Sequence, residues 1–228
     1  GWANGAGDFV NTIAVDGSGN TYVGGVIYQG SGPAVDVQFG TGSTTVTGSG
    51  QQNTIIVKID NTGELVWAKH FDSGFLNGPN SLDINANGDI VVGGGLHSQS
   101  MDADPGLGVA TLNASGLSDA YIVVLDQDGA YRWAYQYGTA GEESIKGVAT
   151  DASGNIYVNA GISGSVDLDP GAGEELFAAV GSYDLVIVSF DSDGNYRWSE
   201  SYGDASAQSG WGMTVNGQDE LVVSGLFE

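Results

Sequence analysis

The sequence predicts an all-β repeat fold, and three observations carry that prediction. A tryptophan motif returns as Trp2-Ala3, Trp67-Ala68-Lys69-His70-Phe71, Trp133-Ala134-Tyr135-Gln136-Tyr137-Gly138 and Trp198-Ser199-Glu200-Ser201-Tyr202-Gly203. Its period is nearly constant, roughly 65 residues from one copy to the next, and a regular interval is what repeat architectures leave in a sequence. Two sets of Asx/Gly turns move in step with it. Between the turns lie short β-branched and aromatic runs, and no window of eleven or more residues shows helical spacing with a start and a stop signal. Such a period marks one supersecondary unit that cannot bury its apolar face alone and therefore recurs.

The first turn set is Asp16-Gly17-Ser18-Gly19-Asn20, Asn85-Ala86-Asn87-Gly88-Asp89, Asp151-Ala152-Ser153-Gly154-Asn155 and Asn216-Gly217-Gln218-Asp219-Glu220. The Asx side chain bonds the backbone two residues on, and glycine takes the positive φ of a tight hairpin. The second set, Asp60-Asn61-Thr62-Gly63-Glu64, Asp126-Gln127-Asp128-Gly129-Ala130 and Asp191-Ser192-Asp193-Gly194-Asn195, occurs three times. The runs Ile55–Ile59, Tyr121–Leu125 and Leu185–Phe190 are too short for helices and too apolar for a wet edge, so they read as buried strands. Each unit then has four strands: one ending near Val15, one around Tyr22–Val26, one at Ile55–Ile59 and one bearing the Trp. Four antiparallel strands with two tight hairpins and one long connection make a propeller blade. The copies are residues 2–66, 67–132, 133–197 and a partial 198–228, in one repeat domain spanning 1–228.

The long connections run from about Gln29 to Gln52, Ser98 to Ser118 and Gly164 to Ser182. They carry Val35-Asp36-Val37-Gln38-Phe39-Gly40, Met101-Asp102-Ala103-Asp104-Pro105-Gly106 and Val166-Asp167-Leu168-Asp169-Pro170-Gly171. With these motifs the chain resembles the bacterial seven-bladed β-propeller repeats of large secreted and surface proteins, over its whole length. The resemblance implies an extracellular or cell-surface setting. It does not imply an activity, because one such fold hosts many functions. About three and a half blades form an open arc, an incomplete segment of a larger ring or assembly, whose apolar faces and strand edges are covered by other subunits or by the rest of its own polypeptide.

There are 28 acidic residues against 5 Lys plus Arg, no cysteine, and a formal net charge of −23. That charge repels nucleic acid and anionic membranes, and no run of 18 apolar residues offers membrane insertion. Thiol chemistry and disulfides are excluded.

Few residues carry a catalytic signature. His70 and His97 occupy different columns and neither accompanies a marked nucleophile. Gly24-Gly25 and Gly93-Gly94-Gly95 follow strands with no helix behind them, so they suit close blade approach better than phosphate binding. Glu142-Glu143 and Glu174-Glu175 have the composition of a glycosidase acid/base pair, but neighbours on a strand face opposite ways. Asp102 with Asp104 and Asp167 with Asp169 are the candidate calcium ligands, since residues i and i+2 of an extended strand share a face and calcium takes about 6 to 8 oxygens. The alternative is that the second Asp bonds the Pro-Gly turn backbone, and Gln38 stands in its place in the first copy. Asp126/Asp128 and Asp191/Asp193 need only a turn role. The recurring Trp side chains suit blade-to-blade packing or a sugar-stacking surface. Trp211, read against Gly147 and Ser81, breaks its column and is the candidate ligand contact. The expectation is a non-enzymatic extracellular binding or structural module that makes protein or glycan contacts through its blade-connecting loops. The rival is a polysaccharide hydrolase or lyase.

Overall fold

The computed structural model describes residues 8–28, 34–47, 52–73, 78–97 and 100–226; the Trp2 motif, the Gly1–Asn4 stub and Phe227-Glu228 lie outside them. Twenty strands and no helix occur among the described residues, in four successive units. Unit one holds β1 (Phe9–Val15), β2 (Thr21–Tyr28), β3 (Val35–Phe39), β4 (Gly42–Val46), β5 (Gln52–Ile59) and β6 (Leu65–Ser73). Unit two holds β7 (Gly78–Ile84), β8 (Ile90–Leu96), β9 (Ser100–Asp102), β10 (Thr111–Asn113), β11 (Asp119–Leu125) and β12 (Tyr131–Tyr137). Unit three holds β13 (Ser144–Thr150), β14 (Ile156–Ile162), β15 (Ser165–Asp167), β16 (Leu176–Ala178), β17 (Asp184–Phe190) and β18 (Tyr196–Tyr202), and unit four holds β19 (Ser209–Val215) and β20 (Leu221–Leu226).

In the three complete units the blade sheets are antiparallel, in the orders β1-β2-β5-β6, β7-β8-β11-β12 and β13-β14-β17-β18. The expected four strands per unit are all present. Both turn sets close as their chemistry requires: Gly19, Gly88 and Gly154 take φ of 83°, 84° and 83°, and Gly63, Gly129 and Gly194 take 91°, 75° and 88°. In the fourth unit Asp219 occupies the same left-handed position at 59°.

Each long connection, which carries no strand signal in the sequence, folds into its own hairpin, β3-β4, β9-β10 or β15-β16. The hairpin of one unit packs against the outer strand of the unit before it: Asp72 and Ser73 of β6 pair with Asp102 and Met101 of β9, and Tyr137 Oη of β12 donates to the Leu168 carbonyl just beyond β15 at 3.1 Å. Burial follows this layering. β8, β11 and β17 are buried along their whole length, and the two largest apolar clusters lie between consecutive units. First strands β1, β7, β13 and β19 lie side by side around the concave centre of an arc that does not close.

Candidate ligand face

The first strands share one irregularity. Each is bulged near its start, between Val10 and Thr12, Pro79 and Ser81, Ile145 and Gly147, and Gly210 and Gly212. A bulge inserts one residue and re-aims its side chain. The inserted residues are Asn11, Asn80, Lys146 and Trp211, four positions of the repeat with three chemistries. Trp211 therefore aligns with Lys146 and Asn80 and not with Gly147 and Ser81, and it is Gly212 that pairs with Ser224 as Gly147 pairs with Asn159.

These side chains differ in what they do. Asn80 Nδ2 donates to Ser144 Oγ at 2.9 Å and to the Ile145 carbonyl at 2.8 Å, tying β7 to β13. Lys146 is half-buried and makes no hydrogen bond or ion pair among the described residues; desolvation holds its amine below the usual lysine range, with Glu142 pulling weakly the other way. Trp211 is 66% exposed, on a strand with no following unit beside it among the described residues. Between the first two units, Phe9, Asn11, Gly78, Asn80, Gly95 and His97 line a cavity of about 110 Å³. A Cβ at Gly95 would be tight there, 3.1 Å from both Ser118 Oγ and Ser144 Oγ and 3.2 Å from His97 Nε2. His97 begins a long connection, so this cavity and the connections share one end of the sheets.

The carboxylates read as catalytic candidates are placed otherwise. Glu143 is fully buried and accepts from Thr139 N (2.7 Å), Thr139 Oγ1 (2.6 Å), Ser163 N (3.2 Å) and Ser163 Oγ (2.6 Å). Four donors, from the link between β12 and β13 and from the residue after β14, hold it in place, while Glu142 is exposed. Asp8 and Gln208 stand at the same place in their units and accept from Tyr28 N and Asp204 N. Glu174 and Glu175 are exposed, and Glu175 serves through its backbone N–H.

Asp102 and Asp104 do not project side by side from a strand, because β9 ends at Asp102. Asp102 Oδ1 accepts from Asp104 N (3.1 Å) and Ala110 N (2.9 Å), and Asp104 Oδ1 accepts from Gly106 N (2.7 Å). Asp167 and Asp169 repeat this pattern with Asp169 N (3.0 Å), Glu175 N (2.8 Å) and Gly171 N (2.8 Å). One oxygen of each carboxylate is thus committed to turn backbone, and no group of three metal-ligating side chains forms among the described residues. In the first unit, where Gln38 replaces the second Asp, Asp36 Oδ1 accepts from Thr45 Oγ1 instead. Asp102, Asp104, His70 and Asp72 do line one polar cleft of about 230 Å³, with His70 Nε2 3.1 Å from Asp72 Oδ1.

The Trp67 and Trp133 side chains pack between blades. Trp67 Nε1 donates to the Gln127 carbonyl and Trp133 Nε1 to the Ser192 carbonyl, both at 3.3 Å. Each acceptor is the second residue of the next unit's Asp-x-x-Gly turn, and the ring lies against that turn's glycine. Both columns are visible in the sequence, but their contact is not, and the bulge column escapes sequence reasoning altogether. A bulge leaves no composition signal, although the unlikeness of Asn11, Asn80, Lys146 and Trp211 is plain once they are aligned.

No family model matches the chain. It is 24% identical over 194 residues to a protein named Regulatory protein FlaEY of Caulobacter vibrioides, covering 80% of this chain and 19% of that protein. It is also 24% identical over 127 residues to Uncharacterized WD repeat-containing protein L264 of Acanthamoeba polyphaga mimivirus, covering 52% of this chain and 9% of that protein. The chain thus spans a fifth or less of the curated relatives it matches. Its architecture and the likeness to the WD repeat-containing protein agree on a β-propeller-like repeat fold.

Proposed function

We propose that the chain is a non-enzymatic binding module of a secreted or surface-exposed bacterial β-propeller repeat protein. It contacts glycan or protein partners through the centre of its arc and the adjoining long connections. The observation that carries this reading is the bulge column. Asn11 and Asn80 are alike, and Asn80 bonds across the seam to β13, whereas Lys146 and Trp211 depart from them at the same bulge position. Like residues suffice for a scaffold; unlike residues converging at one place make a site.

The groups there are amides, an imidazole, an amine and an aromatic ring. They suit hydrogen bonding to hydroxyls and stacking on an apolar sugar face. General acid–base work on a glycosidic bond asks instead for two carboxylates across a cleft, and Glu143 is occupied by its four donors. The names of the two relatives, a regulatory protein and a WD-repeat protein, support protein contact in general. Calcium at Asp102 and Asp167 would draw on their second carboxylate oxygens. A panel of neutral and acidic oligosaccharides tests the reading: the expected result is saturable binding weakened by Trp211→Ala, with every oligosaccharide recovered uncut. Released reducing ends would establish the hydrolase or lyase instead.

A further inference from the structure

Lys146 stands where the neighbouring seam holds a structural tie. Between units two and three, three side chains of β7 reach β13. Asn80 Nδ2 donates to Ser144 Oγ at 2.9 Å and to the Ile145 carbonyl at 2.8 Å. Ser81 Oγ accepts from Val148 N at 3.0 Å, and Asp83 Oδ2 accepts from Thr150 N at 2.8 Å and Thr150 Oγ1 at 3.0 Å. Between units three and four the same register of β13 carries Lys146, Gly147 and Ala149. Gly147 and Ala149 have no polar side chain to offer, and Lys146 makes no hydrogen bond or ion pair among the described residues. Its ammonium has left the seam-tying role without taking another within the fold.

Such a group is costly where it stands. The side chain is half-buried, and a charge withdrawn from water without a partner is unfavourable. The other cations are placed differently. Lys58 donates to the Gln127 carbonyl, Arg132 bridges Asp89 and Asp193, Arg197 donates to Ser189 Oγ, and Lys69 of outer strand β6 lies along the Gly129 turn. Lys146 is the one cation on first strands β1, β7, β13 and β19. The net charge of −23 works against a polyanion there, because its remaining charges would run along an acidic surface with no cation to meet them. One carboxylate in an otherwise neutral molecule meets Lys146 alone. At the same bulge position of β19, the strand packed against β13, stands Trp211, and an indole face suits the apolar face of a sugar ring.

We infer that Lys146 is the carboxylate-binding position of the central face, and that its ligand is a short oligosaccharide carrying a single uronic acid. This rests on the reading of that face as a glycan site. The uronate carboxylate accepts the charge-assisted hydrogen bonds that the three N–H groups of Lys146 Nζ make nowhere else in the described fold. The ring of the same or the adjoining sugar stacks on Trp211.

The test titrates the full chain with two forms of one disaccharide, ending in glucuronic acid or in glucose, and follows binding by calorimetry. The parent is expected to prefer the uronate about tenfold or more, the share of one charge-assisted hydrogen bond. Lys146→Met should erase that preference and Lys146→Arg should keep most of it. Lys69→Met removes an equal charge from an outer strand and should keep it in full, which separates local pairing from the field of the whole chain. Equal affinity for the two sugars, or a uronate preference that survives Lys146→Met, would overturn the inference and leave the glycan reading standing. Binding of neither sugar would sink both. Tighter binding of a blocked Ala-Glu-Ala peptide than of the uronate would assign the ammonium to a protein carboxylate and overturn the inference as well.

Discussion

The Trp133 indole donates to the Ser192 carbonyl at 3.3 Å, across a seam between units and 59 residues along the chain. Trp67 and Gln127 repeat the contact one unit earlier. The Trp column and the Asp-x-x-Gly column are therefore two halves of one joint. The turn glycine completes it, because a Cβ at Gly194 would fall 2.9 Å from Trp133 Cδ2 and Cε2.

Two glycine substitutions separate the joint from the turn. Gly154 has φ of 83°, but its nearest outside atom is 3.6 Å from a built Cβ. Gly154→Ala therefore meets backbone strain alone, about 1 kcal/mol. Gly194→Ala adds the collision with Trp133 and is expected to cost about 2–4 kcal/mol in total. Urea midpoints of the two variants check this, and the gap between them should shrink in a Trp133→Ala background. Equal losses for both glycines would mean that the indole does not rest on the turn.

The period, the turns and the blade strands are legible in the sequence because each is local: an Asx residue, a glycine of positive φ and an apolar run between them. The joints are not legible, since Trp133 and Ser192 meet only after two units stack. Hairpins β9-β10 and β15-β16 leave no mark because three-residue strands such as Ser165–Asp167 are too short to show alternation. The same shortness misplaces Asp104 and Asp169, which lie past the strand ends and bond the turn. Trp211 stands out as a break in the repeat, but its column is that of Asn80 and Lys146, one residue before Ser81 and Gly147.

The aspartates of the long connections give a second test. Asp102 and Asp167 each accept from two backbone N–H groups. Removing that acceptor by Asp102→Ala or Asp167→Ala is expected to cost about 1 kcal/mol or somewhat more. A turn role predicts the same loss with chelator and with millimolar calcium, read by thermal unfolding. A melting temperature that rises with calcium in the parent chain, and not in the variants, would establish metal binding there.

Acid should loosen the blades through the turn aspartates. Burial alone would raise the Asp16, Asp151 and Asp191 carboxyls, but hydrogen bonds from Asn20, Asn155 and Asn195 and from turn backbone hold all three below the usual aspartate range. Asp60 is lowered chiefly by Thr62 Oγ1. A carboxyl depressed in the folded state contributes stability that is complete above its unfolded value, about pH 4, and is lost as pH falls through the folded value. Asp83 and Asp119 act in the opposite sense, since burial raises them. Hydrogen bonds also lower Glu64 and Asp204, and six lowered carboxyls against two raised ones predict a net loss below about pH 4. Urea midpoints at neutral and at acid pH measure it, and Asp151→Asn, weakened at neutral pH, should sit nearer the parent in acid.

Lys146 and Trp211 provide the sharpest separation of binding from folding. The Trp211 ring is largely exposed. Trp211→Ala is therefore expected to leave stability within about 0.5 kcal/mol of the parent. Lys146 carries a half-buried ammonium with no partner among the described residues. Lys146→Met keeps the length of the side chain and removes a desolvated charge, so it should be neutral or stabilising by up to about 1 kcal/mol. A packing residue would behave in the reverse way, losing stability on either change. If the central face is the binding site, both variants fold as well as the parent while affinity for the captured oligosaccharide drops about tenfold or more, the share expected of an anchoring aromatic or charged contact. Calorimetric unfolding and a binding titration on the same preparations decide it: variants that unfold early and bind normally would return both side chains to the scaffold.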